Sequence, residues 1–237
     1  MKLTLLFVAS LLWAMTASTD DLTLFTLQAD KFFSKYVENG SVAYSKIITQ
    51  RNEIESLYAQ VGAARLSDTD DNIKKAFYAN AYNIIVIYWV TKYYPLKSPM
   101  DNSGFFDKVK HNVAGEMMTL NALEIKKILQ PYKDARFHFV LACAAKSCPP
   151  LASFAYTPEK VEQQLTERTR LALNNKNWVK VYANQKRVEV SKIFEWYKSD
   201  FNMEQKSTLD WINQYRKEKI PSNYDLGFYE YDWALNE

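Results

Sequence analysis

Glycine is scarce in this chain, with five residues in 237. The sequence carries no glycine-rich phosphate loop and no G-x-S-x-G elbow. Few glycines beside 15% aromatic residues argue against a loop-rich sandwich and for a helix-rich domain with an aromatic core. Histidine and cysteine occur only twice each. His111, His138, Cys143 and Cys148 do not fall into C-x-x-C, H-x-x-x-H or H-E-x-x-H spacings, so a zinc site built from them and Glu124 is disfavoured. No metal and no cofactor is expected. The net charge of +3 is small and evenly spread, which excludes the basic footprint of a nucleic-acid binder. Past the N-terminus no apolar run is long enough to span a bilayer. Linkers, repeats and low-complexity segments are absent as well. A composition of 48% hydrophobic and 24% charged residues therefore reads as one globular domain.

The N-terminus sets the compartment. Lys2 precedes an apolar run from Leu3 to Trp13, followed by the small residues Thr16, Ala17 and Ser18. A short basic start, an apolar stretch too short to span, and a small-residue exit describe a secretory signal peptide over residues 1–18. The alternative is a retained anchor helix; no cysteine follows the run, so lipid attachment there is excluded. On the first reading the mature protein is exported, periplasmic or extracellular, and lives in an oxidising compartment.

Helical spacing recurs from Asp20 to Glu38 (Leu24, Leu27, Phe32, Tyr36), with Asn39-Gly40 as its stop. Ser41 is placed as the cap of a second helix bearing Ile47, Ile54, Leu57 and Tyr58. After the acidic stretch Asp68–Asp71 comes the longest apolar element of the mature chain, closed by Pro95 and read as a central buried helix. Asn80 and Asn83 lie one turn apart on it. Either they pin a neighbouring loop to the helix, or one of them orients a substrate or a histidine.

Residues 109–120 alternate around Ala114-Gly115 and predict a hairpin with His111 on its first strand. Asn121 is placed as the cap of a helix carrying Glu124 near its positive end and stopping before Pro131. Thr157-Pro158-Glu159 opens an amphipathic helix to about Leu173. Residues 178–190 form a second predicted hairpin around Ala183–Gln185. A helical run follows from Ser191, then a helix from Glu204 to about Lys217. The tail YDLGFYEYDWALNE is so aromatic that it is expected to fold back onto the core.

The stretch Phe137–Leu151, FHFVLACAAKSCPPL, concentrates the chemistry: one of the two histidines and both cysteines. Its β-branched and aromatic start predicts a buried central strand. Within a strand, His138 and Cys143 would point to opposite faces, roughly 16 Å apart along the backbone. They meet only if the strand ends first. Cys148, with Lys146 favouring its thiolate, is the other nucleophile candidate. Three readings stay open. A thiol-dependent hydrolase or acyltransferase would pair a cysteine with His138, oriented by Glu124 or Asp232. A Cys143–Cys148 disulfide contributing about 2 kcal/mol would leave a non-catalytic module that binds a small molecule or peptide. A metal site is the third and is disfavoured by the spacings. A glycosidase carboxylate pair has no positive support.

The blocks AFYANAYN, TLNALEIKKIL, RFHFVLACAAKSCPPL and GFYEYDWALN, in this order, closely resemble the domain of unknown function 547 (DUF547) family. The resemblance implies an exported bacterial member. It would comprise a helical extension over residues 19–66 and a DUF547-like domain over 67–237. The family's recurrent polar positions map onto Asn80, Tyr82, Asn83, Glu124, Arg136, His138, Cys143, Ser147, Cys148 and Asp232. From these, His138, Cys143, Cys148 and Glu124 are candidate catalytic residues, and Asn80, Asn83, Ser147 and Arg136 candidate substrate-binding ones. The expected fold is mostly helical α+β, with a small, mainly antiparallel sheet formed by the two hairpins and the central strand. The Asn80–Asn83 helix would pack behind that sheet, as in thiol-hydrolase folds by analogy.

Overall fold

The computed structural model describes residues 3–202 and 207–237, with side chains from Asp20 onward. The chain folds as a mostly helical α+β domain with three small sheets. The elements are α1 (Leu3–Tyr36), β1 (Val37–Glu38), β2 (Ser41–Val42), α2 (Tyr44–Thr49), α3 (Arg51–Ala63) and α4 (Asp71–Tyr93), then β3 (His111–Val113) and β4 (Glu116–Met118). After them come α5 (Leu120–Ala122), a π-helix over Leu123–Leu129, α6 (Gln130–Tyr132), a 3-10 helix over Ala135–Phe139, and α7 (Val161–Leu173). The last third holds β5 (Lys180–Tyr182), β6 (Arg187–Val190), α8 (Ile193–Trp196), α9 (Lys198–Phe201), α10 (Thr208–Tyr215) and β7 (Asp225–Phe228).

Helix α4 is the axis of the larger core. Asp70 caps it, its carboxylate accepting the Ile73 N–H at 2.9 Å, with Asp71 in the first turn and Lys92 in the last complementing the dipole. From Ala79 to Ile87 every residue is buried, so the helix has no solvent face. Helices α1, α2, α3 and α7 and the π-helix pack around it. The apolar face of α1 is Leu22, Phe25, Ala29, Phe32, Phe33 and Tyr36. Leu24 and Leu27, expected on that face, are 51% and 56% exposed. Leu24 stands one position, and Leu27 two positions, from a residue that does face inward.

A second core holds Phe139, Trp178, Phe194, Phe201 and Ile212 beneath the sheet β5–β6–β7. The predicted central strand is not a strand. Residues 135–139 form a 3-10 turn, capped where Asp134 accepts the Arg136 N–H at 3.0 Å. Phe137 and Val140 enter the first core while Ala135 and Phe139 enter the second. A segment squeezed between two cores is apolar on every side, so its composition mimics a buried strand. The sheet position expected for it is filled by β7, which pairs in parallel with β6. Accordingly α4 lies among helices and not behind a sheet.

Local turn chemistry explains other departures. Ser41 lies in β2, since Asn39 (φ 51°) and Gly40 (φ 89°) turn the chain into a two-stranded hairpin. Thr119, not Asn121, caps the helix after β4, accepting the Ala122 N–H at 3.1 Å. That helix continues through Pro131, which sits in the first turn of α6, where a proline is tolerated. The Ala114-Gly115 hairpin and the 178–190 hairpin form as expected. Residues Glu204–Lys206, expected to start α10, lie outside the described residues. Among the described residues no helix is long and apolar enough to cross a membrane.

Candidate functional site

Where the 3-10 turn ends, the chain enters a loop held from two sides. Asn83 donates to the Val140 carbonyl and accepts the Ala142 N–H, both at 2.9 Å. Beyond it, residues 144–147 pair with the tail. Ala145 bridges Leu235, Lys146 N–H donates to the Ala234 carbonyl, and Ser147 donates its N–H to the Asp232 carbonyl while its hydroxyl oxygen accepts the Asp232 N–H. Within this loop Cys143 and Cys148 form a disulfide. The Cys143 N–H donates to Cys148 Sγ at 2.8 Å, and the Tyr231 hydroxyl lies 3.1 Å and 3.2 Å from the two sulfurs.

The disulfide lines a cavity of about 560 Å³. Its other walls come from α4 (Tyr82), the loop at residues 100–107, the π-helix (Glu124), the 3-10 turn (His138), α8 with the following residue (Ile193, Trp196, Tyr197) and the tail (Tyr231, Trp233). Trp196, Tyr231 and Trp233 form a continuous aromatic wall with centroids 4.7–6.0 Å apart.

Two polar constellations face this space. Glu124 is buried and hydrogen-bonded by the phenols of Tyr82 and Tyr197. Burial, first, and the neighbouring carboxylate push both phenols well above their ordinary range, so each remains an O–H donor. His138 is the second. Its Nε2 lies 2.8 Å from Asp200 Oδ2, and its ring packs on Tyr197 at 4.2 Å and Phe201 at 5.3 Å. The bond from His138 holds the Asp200 carboxyl below the usual carboxylate range, so Nε2 carries the proton that is shared. Asp200 approaches from outside the cavity and borders a separate depression. It thus occupies the place expected for Glu124 or Asp232. Tyr197 and Asp200, one turn apart, carried no motif; only aromatic density marked that stretch.

The expected residues divide in two. His138, Cys143, Cys148 and Glu124 line the cavity; Asn80, Asn83, Ser147 and Arg136 do not. Asn80 clamps the Tyr156 backbone, donating to its carbonyl at 2.8 Å and accepting its N–H at 2.9 Å. Arg136 is tied to Asp134 and Glu162, away from the cavity. His111 sits in the first core, 3.0 Å from the Tyr58 hydroxyl and edge-on to Trp89. Among the described residues no three His, Cys, Asp or Glu side chains are grouped to hold a metal ion.

Residues 66–171 match the model of the family described as "Protein of unknown function, DUF547". Over that segment the chain is similar to the DUF547 family. No curated protein and no solved structure matches it. The matched DUF547 segment supplies Tyr82, Glu124, His138 and the disulfide. Asp200 and the Trp196–Tyr231–Trp233 wall come from beyond it, so the cavity is completed by sequence outside the matched segment.

Proposed function

We propose that this protein is an exported ligand-binding module, with residues 1–18 a signal peptide, 19–66 a helical extension and 67–237 the binding domain. Its cavity takes a small molecule or the end of a peptide, and the disulfide braces one wall. The observation that carries the reading is the pairing of both sulfurs at the cavity surface, which leaves no thiolate there to act as nucleophile. The apolar run behind Lys2 supports export, and a disulfide suits the oxidising compartment that export implies. Glu124, Tyr82 and Tyr197 orient the ligand, and His138, held by Asp200, presents its ring to it.

One observation favours a second reading. His138, held from behind by Asp200, shares a cavity with both sulfurs, which is the arrangement a thiol-dependent hydrolase or acyltransferase would use once the disulfide is reduced. Counting thiols in denatured, non-reduced protein separates the two. The binding reading expects no free thiol, and a His138→Ala variant that binds ligand more weakly with no turnover to lose. A single cysteine alkylated by a mild reagent near neutral pH, with turnover that disappears in a cysteine-to-serine variant, would transfer the protein to the hydrolase reading.

A further inference from the structure

The cavity's charge pattern restricts what fits. Glu124 is 8% exposed, and the partners of its carboxylate are phenols, which satisfy lone pairs without neutralising charge. Among the described residues no lysine or arginine forms an ion pair with it. Among the described residues no lysine or arginine lines the cavity, whereas a second carboxylate, Asp107, stands on its exposed loop. A buried anion is normally paired, because removing it from water is costly. An anionic ligand would add repulsion, and an uncharged one would leave the carboxylate uncompensated. The same cavity is walled by Trp196, Tyr231 and Trp233, with Trp196 48% exposed. An exposed indole in the same cavity as a buried carboxylate that has no cationic side chain paired with it offers the two attractions that an alkylated ammonium group uses: ring face and counter-charge.

We infer that the cavity takes a small organic cation, its alkylated ammonium group held between the Glu124 carboxylate and the Trp196–Tyr231–Trp233 wall. The inference rests on the binding-module reading and names the ligand's charge class. Tyr82 and Tyr197 then serve Glu124 as positioning residues, fixing the carboxylate while the ligand supplies the missing charge.

The test uses the full oxidised protein and indole fluorescence. Choline is titrated beside its uncharged carbon isostere, in which a tert-butyl group replaces the trimethylammonium. Choline is expected to bind at least about tenfold more tightly at low ionic strength, since only it is drawn to the buried carboxylate. Glu124→Gln keeps an acceptor for both phenols and is expected to abolish that preference. Trp196→Ala, at a half-exposed position, is expected to weaken choline about two- to fivefold. Equal affinity for choline and the isostere, or an unchanged preference in Glu124→Gln, overturns the charge assignment while leaving the binding reading intact. Choline failing to bind at millimolar concentration also overturns it, and the thiol count then judges the binding reading independently.

Discussion

Replacing Asn83 by alanine tests the support of the cavity loop. The side chain is 1% exposed and satisfies two buried backbone groups, the Val140 carbonyl and the Ala142 N–H. Truncation strands both, and an unsatisfied buried group costs about 1–3 kcal/mol. Two together give a loss on the order of 4 kcal/mol, which for a chain of this size lowers the melting temperature by roughly 8–16 °C. The proper control is Asn184→Ala on an exposed turn, expected within about 0.5 kcal/mol of the parent. Asn83→Asp sharpens the argument. One oxygen still accepts the Ala142 N–H, but the other meets the Val140 carbonyl with no proton to donate. Near neutral pH it should be at least as destabilising as alanine, and it should recover relative to Asn83→Ala once acid protonates the carboxyl. Denaturant melts followed by circular dichroism measure all three. If Asn83→Ala lies within about 1 kcal/mol of the parent, the clamp does not hold the loop and the site argument loses its support.

Two further outcomes are expected. Burial, with the Lys92 charge behind it, lowers the pKa of His111 from 6.5 to about 4. The folded state therefore resists a proton that the unfolded chain accepts, and stability present above pH 6.5 is lost as pH falls towards about 4. The difference corresponds to roughly 3 kcal/mol. A His111→Phe variant should lack this component of the acid sensitivity, and parallel pH dependence of urea midpoints in parent and variant would contradict it. Gly40→Ala should cost more than Gly115→Ala. Both glycines have positive φ, but a Cβ at Gly40 would stand 2.5 Å from Pro150 Cβ and 2.8 Å from its Cα, while Gly115 has open space. Thermal melts should place Gly115→Ala about 1 kcal/mol below the parent and Gly40→Ala clearly lower, with the loop of Pro149 and Pro150 displaced. Equal costs would mean that the hairpin does not brace that loop.

What could be read from the sequence alone was what neighbouring residues decide among themselves. Asp70 and Pro95 bracket α4 because capping and the missing proline N–H act within a turn. Ala114-Gly115 turns a hairpin because Gly115 takes positive φ without penalty, and the apolar face around Ile47, Ile54 and Leu57 follows from helical periodicity. The aromatic tail declared itself because that much ring surface does not remain in water. The start of Phe137–Leu151 reads as a strand but folds as a tight helical turn for a physical reason: burial from two sides erases the periodicity by which the two are told apart. The partner of His138 is 62 residues away on an unremarkable stretch, and the tail that covers the disulfide is more than 80 residues away. Those pairings depend on which surfaces the two cores bring into contact, and no local rule specifies them. Tertiary structure alone therefore decided that Glu124, His138 and the disulfide share a cavity while the two asparagines stand behind it as clamps.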